Sequence, residues 1–285
     1  MKLWDKGISI DKKIEQFTVG NDREIDLHIA KYDVQASLAH ARMLHKIKIL
    51  SAEELQQLEE GLEVLSNQIN AGTFTIEDEF EDVHSKIEFE LTKTFGDVGK
   101  KIHTARSRND QVLVALQLLY KESLTQIQNK TKGFFDTLLD LAESHKEKLL
   151  PGYTHLQVAM PSSFGLWFSA YAEVLIDDMY LLQAALKTVD QNPLGSAAGY
   201  GSSFPIDREF TTNELDFSTL KYNVIAAQMS RGKSERTIAL ALGSLCNTLA
   251  RFAMDICLYN SQNFGFIAFP DELTTGSSIM PHKKN

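Results

Sequence analysis

Cysteine is nearly missing from this sequence: Cys246 and Cys257 are the two present. That excludes a disulfide framework, and two thiols on one apolar segment suit buried side chains in a reducing compartment. Proline is absent from the first 150 residues; all six prolines (151, 161, 193, 205, 270 and 281) come later. Basic excess is missing too. Lys and Arg number 29 against 38 Asp and Glu, a formal net charge of −9 that leaves no footprint for nucleic acid or an anionic membrane surface. No unbroken apolar run reaches the length of a membrane span, and the opening Met1-Lys-Leu-Trp-Asp lacks a signal-peptide core. The expectation is a cytoplasmic globular protein that binds a small molecule.

What is present is helical pattern. Hydrophobic residues make up 43% of 285 positions, enough for one large domain or two modest ones. Ser51 and Glu54 have capping-box spacing, and Leu55, Leu58, Leu62, Leu65 and Ile69 follow at alternating three and four. One amphipathic helix is predicted there, ending near Gly72. The span 106–149 has no proline before its end and keeps helical period through Val112, Leu116, Leu119, Ile127, Phe134 and Leu138. Such length points to a helix bundle. Two further long helices are predicted at about 162–189 and 234–264. Both are apolar around much of their circumference, so they should lie deep in a bundle or between subunits. Strand signals are scarce, and 192–206 reads as an ordered loop or short hairpin. The fold class is all-α, with a small helical N-terminal domain over 1–105 and a long-helix bundle over 106–285.

Several familiar motifs fail. Gly232-Lys-Ser234 resembles the end of a phosphate loop, but Ala227 stands where that motif needs glycine. Gly199-Tyr-Gly201 lacks a third glycine and a preceding strand. Gly276-Ser-Ser278 is no nucleophile elbow. His84 and Glu88 lie one helical turn apart, half of a metal site at most, so no metal is assigned. The acidic run from Glu77 to Asp82 reads as a solvated helix entrance.

Three polar segments interrupt the helices. The span 103–111, His-Thr-Ala-Arg-Ser-Arg-Asn-Asp-Gln, sets two arginines and two amides at the entrance of the longest helix. Unpaired N–H groups and bidentate guanidinium donors suit carboxylates there, although the same residues would also make an elaborate helix cap. The span 152–157 places Thr154, His155 and Gln157 ahead of a helix, where the histidine is either structural or an acid–base group. The span 276–285, Gly-Ser-Ser-Ile-Met-Pro-His-Lys-Lys-Asn, combines a mobile glycine–serine loop with the donors Lys283 and Asn285. Abstracting a proton beside a carboxylate needs preorganised donors for the developing charge, and a loop that excludes water. Alone, the segment also reads as a solvated basic tail.

The stretch Gly276-Ser-Ser-Ile-Met-Pro-x-Lys283-x-Asn285 resembles the signature loop of the fumarase/aspartase superfamily. Within it, 103–111 is similar to the motif of the argininosuccinate lyase family, with Ala105 where that motif usually has glycine. Glu81-Asp-Val-His84, Pro151-Gly-Tyr-Thr-His-Leu-Gln157 and Pro193-Leu-Gly-Ser196 match the same family in order. The resemblance implies reversible elimination of fumarate from argininosuccinate to give arginine, the last step of arginine synthesis, with no cofactor. It implies Ser277 as the base at Cβ and His155 for the other proton transfer, towards the guanidino nitrogen, although the acid and base roles of this pair are assigned both ways in the family. It implies Asn109, Thr154, Arg108, Lys283 and Asn285 as substrate ligands, and adds His84, Gln157 and Arg231 near the pocket. It also implies a homotetramer whose sites each draw on three subunits.

Departures are present. The family's N-terminal Trp-Gly-Gly-Arg-Phe stands as Trp4-Asp-Lys-Gly7-Ile, and its Phe-x-x-Ser-Ile contact is unmatched around Phe17. Its Asn-Ser-x-Asp-Ala stretch reads Asn223-Val-Ile-Ala-Ala-Gln228-Met-Ser-Arg231, and Gln-Arg-Ala-Gln-Pro is replaced by Gln157-Val-Ala-Met-Pro161. Family members continue beyond the signature loop, so an incomplete, inactive chain is expected from Asn285 being the last residue. Other fumarate-releasing lyases, such as aspartase and adenylosuccinate lyase, and a non-catalytic crystallin-like protein, are the alternatives.

Overall fold

A computed structural model describes residues 11–284; Trp4, Gly7 and Asn285 lie outside the described residues. Among the described residues eleven α-helices carry the fold: α1 (Lys12–Val19), α2 (Asp22–Ile25), α3 (Ala30–Lys46), α4 (Ala52–Asn70), α5 (Val83–Phe95), α6 (Asp97–Lys100), α7 (Arg108–Ser144), α8 (Phe164–Val189), α9 (Arg208–Glu214), α10 (Val224–Gln228) and α11 (Lys233–Asn260). The protein is all-α in class. Its strands form two minor pairs, the antiparallel hairpin β1 (Leu149–Thr154) and β2 (Gln157–Ser163), and the short parallel pair β3 (Gln191–Asn192) and β4 (Thr219–Leu220). The span 192–206 is therefore a loop closed by a distant strand, not a hairpin of its own.

Among the described residues two compact units are present: 11–125 with 185–237, and 126–184 with 238–284. Helices α7, α8 and α11 contribute residues to both. This partition follows packing, whereas the division at residue 105 follows helix length.

In the first unit α3 packs on α4 and α5 around an aliphatic core that includes Leu44, Leu58, Leu62, Ile87, Leu91 and Ile102. The heptad-like leucines of α4 do what their spacing predicts. Leu58, Leu62 and Leu65 are buried, with Leu55 and Ile69 packed at the edge. Burying a leucine contributes about 2 kcal/mol. The helix begins at a capping box in which Ser51 Oγ accepts from Glu54 N–H at 3.2 Å and Glu54 Oε2 accepts from Ser51 N–H at 3.0 Å. The C-terminal part of the unit is pinned to α7 by Gln117 Nε2 donating to Ser234 Oγ (3.2 Å) and Tyr120 OH donating to Glu235 Oε1 (3.1 Å).

In the second unit the aromatic side chains Trp167, Phe168, Tyr171, Phe252 and Tyr259 interlock between α8 and α11. Asp255 accepts from Trp167 Nε1 (3.1 Å) and Tyr171 OH (2.7 Å), which satisfies their polar tips. Much apolar surface is left uncovered in the chain: Leu166, Tyr180, Leu240 and Met254 are all more than half exposed. Cys246 and Cys257 are exposed as well, which corrects the expectation of buried thiols. The physical reason is that α11 is apolar on more faces than this chain packs against. By length and composition alone, α11 with its 28 residues is also long and apolar enough to cross a membrane.

Candidate functional site

The first group of site residues is built where α5 and α7 begin. Ser107 N–H donates to Asp110 Oδ1 at 2.9 Å, and Asn109 N–H donates to Ser107 Oγ at 3.2 Å. These bonds cap the entrance of α7 and set Arg108 and Asn109 on its first turn. Arg108 Nη1 donates to Glu81 Oε2 at 2.8 Å and lies 3.3 Å from Asp82 Oδ2. Its Nη2 is a buried donor with no protein partner, and Gln111 Oε1 is a buried acceptor in the same condition. Asn109 is exposed. The acidic run is thus more than a solvated helix entrance: Asp82 caps α5 by accepting from Ser85 N–H, and Glu81 holds Arg108.

Beneath this turn lies a buried polar cluster. His84 Nδ1 is 3.0 Å from Asp33 Oδ1, and both side chains are almost wholly enclosed. Burial favours the neutral imidazole, but Asp33, Asp82 and Asp26 together outweigh it and hold the His84 pKa above its ordinary value. Arg106 Nη1 donates to Ser37 Oγ at 2.9 Å. His103 Nδ1 lies 3.6 Å from Glu88 Oε2; burial, then Arg106 and Arg108, depress its pKa, while burial raises that of Glu88. His84 and Glu88 therefore serve different partners and do not act as a ligand pair. Among the described residues Arg231, at the exposed turn after α10, forms no hydrogen bond or ion pair with this cluster.

Asp110 does not point outward. Its Oδ2 accepts from Gly195 N–H at 3.0 Å and Ala197 N–H at 2.8 Å, so it ties the Pro193–Ala197 loop to the start of α7. Burial raises its pKa against these three backbone donors and Arg106. Gln228 Nε2 grips the same loop through Ser196 Oγ and Ala197 O, both at 3.0 Å.

The second group stands in the other unit. Thr154 and Gln157 close the β1–β2 hairpin as partners, with His155 and Leu156 alone at the tip. Both tip residues have positive φ, 52° and 60°. That is the signature of a type I′ turn, which normally recruits Asn and Gly. Each costs about 1–2 kcal/mol in a residue with a Cβ, a strain of the kind found at functional sites. Gly152 sits at the hairpin's bulge, where a Cβ would come within 2.8 Å of Met160 O. Thr154, His155 and Gln157 are exposed.

The loop 276–284 is closed by an antiparallel bridge between Gly276 and Lys284. Inside it Ser277 Oγ accepts from Met280 N–H at 3.2 Å, and Lys283 N–H donates to Met280 O at 2.9 Å. Ser277 is half-buried and Lys283 exposed. Ser277 and His155 form no hydrogen bond with each other among the described residues. Sequence reasoning overlooked Asp33; Glu88, Asp110 and Gln228 stood in spans it quoted, but as half a ligand pair, part of a helix cap and a departure from the family, not in the contacts found here.

The polar groups offered are thus a serine loop with an N–H donor on the hydroxyl, an exposed histidine on a strained turn and an arginine with an unmet donor. Residues 7–285 match the family described as Lyase, and the chain belongs to it. Its curated relatives include the argininosuccinate lyase of Phocaeicola vulgatus, 56% identical over the whole of this chain and 64% of that protein. The argininosuccinate lyase of Thermotoga neapolitana is 45% identical over the whole chain and 71% of that protein. This chain thus spans a little under two thirds of the first of these relatives. Among solved structures, a variant of EDDS lyase with bound fumarate superposes with a TM-score of 0.82 at 25% identity, over 98% of this chain and 55% of that one. A fumarate lyase:delta crystallin from Brucella melitensis bound to cobalt gives 0.80 at 18% identity, over 99% and 67%, and shares the fold.

Proposed function

We propose that this protein is an argininosuccinate lyase, eliminating fumarate from argininosuccinate to leave arginine. The observation that carries the reading is the 56% identity to a curated argininosuccinate lyase across the whole chain, all three polar segments included. Ser277 takes the Cβ proton of the succinyl group. The Met280 N–H on its hydroxyl stabilises the alkoxide that makes a serine basic enough, and Lys283 adds positive charge. His155 manages the second proton at the departing guanidino nitrogen. Arg108 through its unmet Nη2, Asn109 and Thr154 hold substrate carboxylates, and Asn285 joins Lys283 on the carboxylate that gathers the developing charge. His84, Gln157 and Arg231 line the surroundings. No cofactor enters this chemistry.

The same reading makes the protein a cytoplasmic homotetramer, with an N-terminal domain to residue 105 and a bundle from 106. Three subunits then contribute to each site, and the exposed apolar faces of α8 and α11 become bundle contacts. In the intact protein, fumarate absorbance should rise with argininosuccinate and not with aspartate or adenylosuccinate. Ser277→Ala should lower kcat by about 10²–10⁴-fold with the fold retained by circular dichroism. Release of fumarate from adenylosuccinate instead, or full turnover by Ser277→Ala, would overturn the assignment.

A further inference from the structure

We infer that Tyr153 is a positioning residue for His155, its ring acting with Phe264 and Phe266 to hold the hairpin tip on which the imidazole stands; this rests on the role given to His155 above. A two-stranded hairpin is marginal on its own, and this one has a tip whose residues disfavour the backbone they adopt. Its outer side chains give little support, since Leu149, Val158 and Met160 are each at least 70% exposed. Leu150 is buried at the base of the hairpin, and towards the tip the packed side chain is Tyr153.

At the bulge, one residue from the tip-closing Thr154, the Tyr153 ring meets Phe264 edge-on, with centroids 5.5 Å apart and planes at 76°. It meets Phe266 at 6.3 Å. Those two rings are themselves T-shaped at 5.6 Å, and Tyr259 of α11 touches both, at 6.3 and 5.6 Å. The segment is folded back on its helix because Phe266 N–H (2.9 Å) and Ile267 N–H (3.4 Å) both donate to Tyr259 O. Tyr259 packs on Trp167 of α8 at 5.2 Å. A continuous run of rings thus connects the histidine turn to two long helices. Ring edges and faces make these contacts, and the Tyr153 hydroxyl forms no hydrogen bond among the described residues. The segment holding Phe264 and Phe266 is also the one that leads into the serine loop, so one aromatic joint braces the approach to both proton-transfer residues.

Angular precision at a proton-transfer group matters steeply, since a displacement near 1 Å can cost about 100-fold in rate. The test compares Tyr153→Leu, Tyr153→Phe and Phe264→Leu in the intact protein, by fumarate-release kinetics and amide hydrogen exchange across 149–163. Tyr153→Leu should lower kcat by roughly 10- to 100-fold with KM within about two-fold. Phe264→Leu should do the same from the other side of the contact, and Tyr153→Phe should keep most of the turnover. Exchange at the hairpin amides should accelerate in both Leu variants and stay slow in the Phe variant, with the amides of α3 unchanged. The exchange arm needs no substrate, so it still decides whether Tyr153 orders the turn if argininosuccinate proves to be the wrong substrate. Wild-type kcat and exchange in the two Leu variants, or a Phe variant as impaired as Leu, would overturn the inference.

Discussion

Asp110 and Gly195 are joined by a carboxylate-to-backbone hydrogen bond of 3.0 Å that fastens a loop far along the chain to the first turn of α7. The match is strict on both sides. Gly195 has φ of +85°, and a Cβ there would come within 2.7 Å of Arg208 Cγ. Asp110 is fully buried and satisfies two further N–H groups, of Ser107 and Ala197.

Removing that carboxylate strands buried donors. Asp110→Ala is therefore expected to destabilise the protein by about 2–4 kcal/mol, because unsatisfied buried N–H groups cost about 1–3 kcal/mol each. Asp110→Asn, which retains one acceptor, should lose less. Urea unfolding followed by circular dichroism measures both, and equal stability of Asp110→Ala and wild type would contradict the loop-anchor role.

Arg108 divides its guanidinium between an acidic pair and an unmet donor. Arg108→Gln is expected to raise KM for argininosuccinate about ten-fold, the equivalent of about 1.4 kcal/mol from one charge-assisted contact at a partly exposed side chain. The turnover number should change less, since the carboxylate is bound alike in ground and transition states. A fall in kcat at constant KM would place Arg108 in the chemistry instead.

Two buried histidines give opposite pH dependences. His40 donates from Nε2 to Thr104 O at 2.8 Å, and burial, then Arg106, depress its pKa well below 6.5. Its neutral form is the folded form, so its contribution is complete above about pH 6.5 and is lost as pH falls towards the folded value. His84, with its pKa raised beside Asp33, contributes fully below about pH 6.5 and loses that as pH rises through its folded value. Urea midpoints between pH 5.5 and 8 should show His40→Gln flattening the acid side and His84→Gln the alkaline side. An unchanged acid slope in His40→Gln would remove His40 as its source.

Helices were legible where the signal is local. The capping box at Ser51 and Glu54, the leucine spacing of α4 and the long period behind α7 and α8 all depend on neighbours within one or two turns. The β1–β2 hairpin was not legible, because Pro151, Gly152 and Pro161 read as breakers and His155-Leu156 is no turn dipeptide. Contacts made elsewhere in the fold override those local preferences. The same applies to the site. Ser277, His155 and Arg108 stand in short polar segments whose residue types left several readings open, and their proposed roles come from the resemblance those segments carry. The Asp33–His84 pair and the Asp110 anchor join positions far apart in sequence, and no spacing rule reaches that distance.

The turn at His155-Leu156 also sets a limit on engineering. Leu156→Gly is expected to raise thermal stability, by about 1 kcal/mol, because glycine accepts the positive φ that leucine resists. The same change would loosen the backbone beside the imidazole and should lower kcat, so a melting temperature and a turnover number measured together would move in opposite directions. A library screened for heat resistance alone would therefore favour glycine at this tip and drift away from the activity.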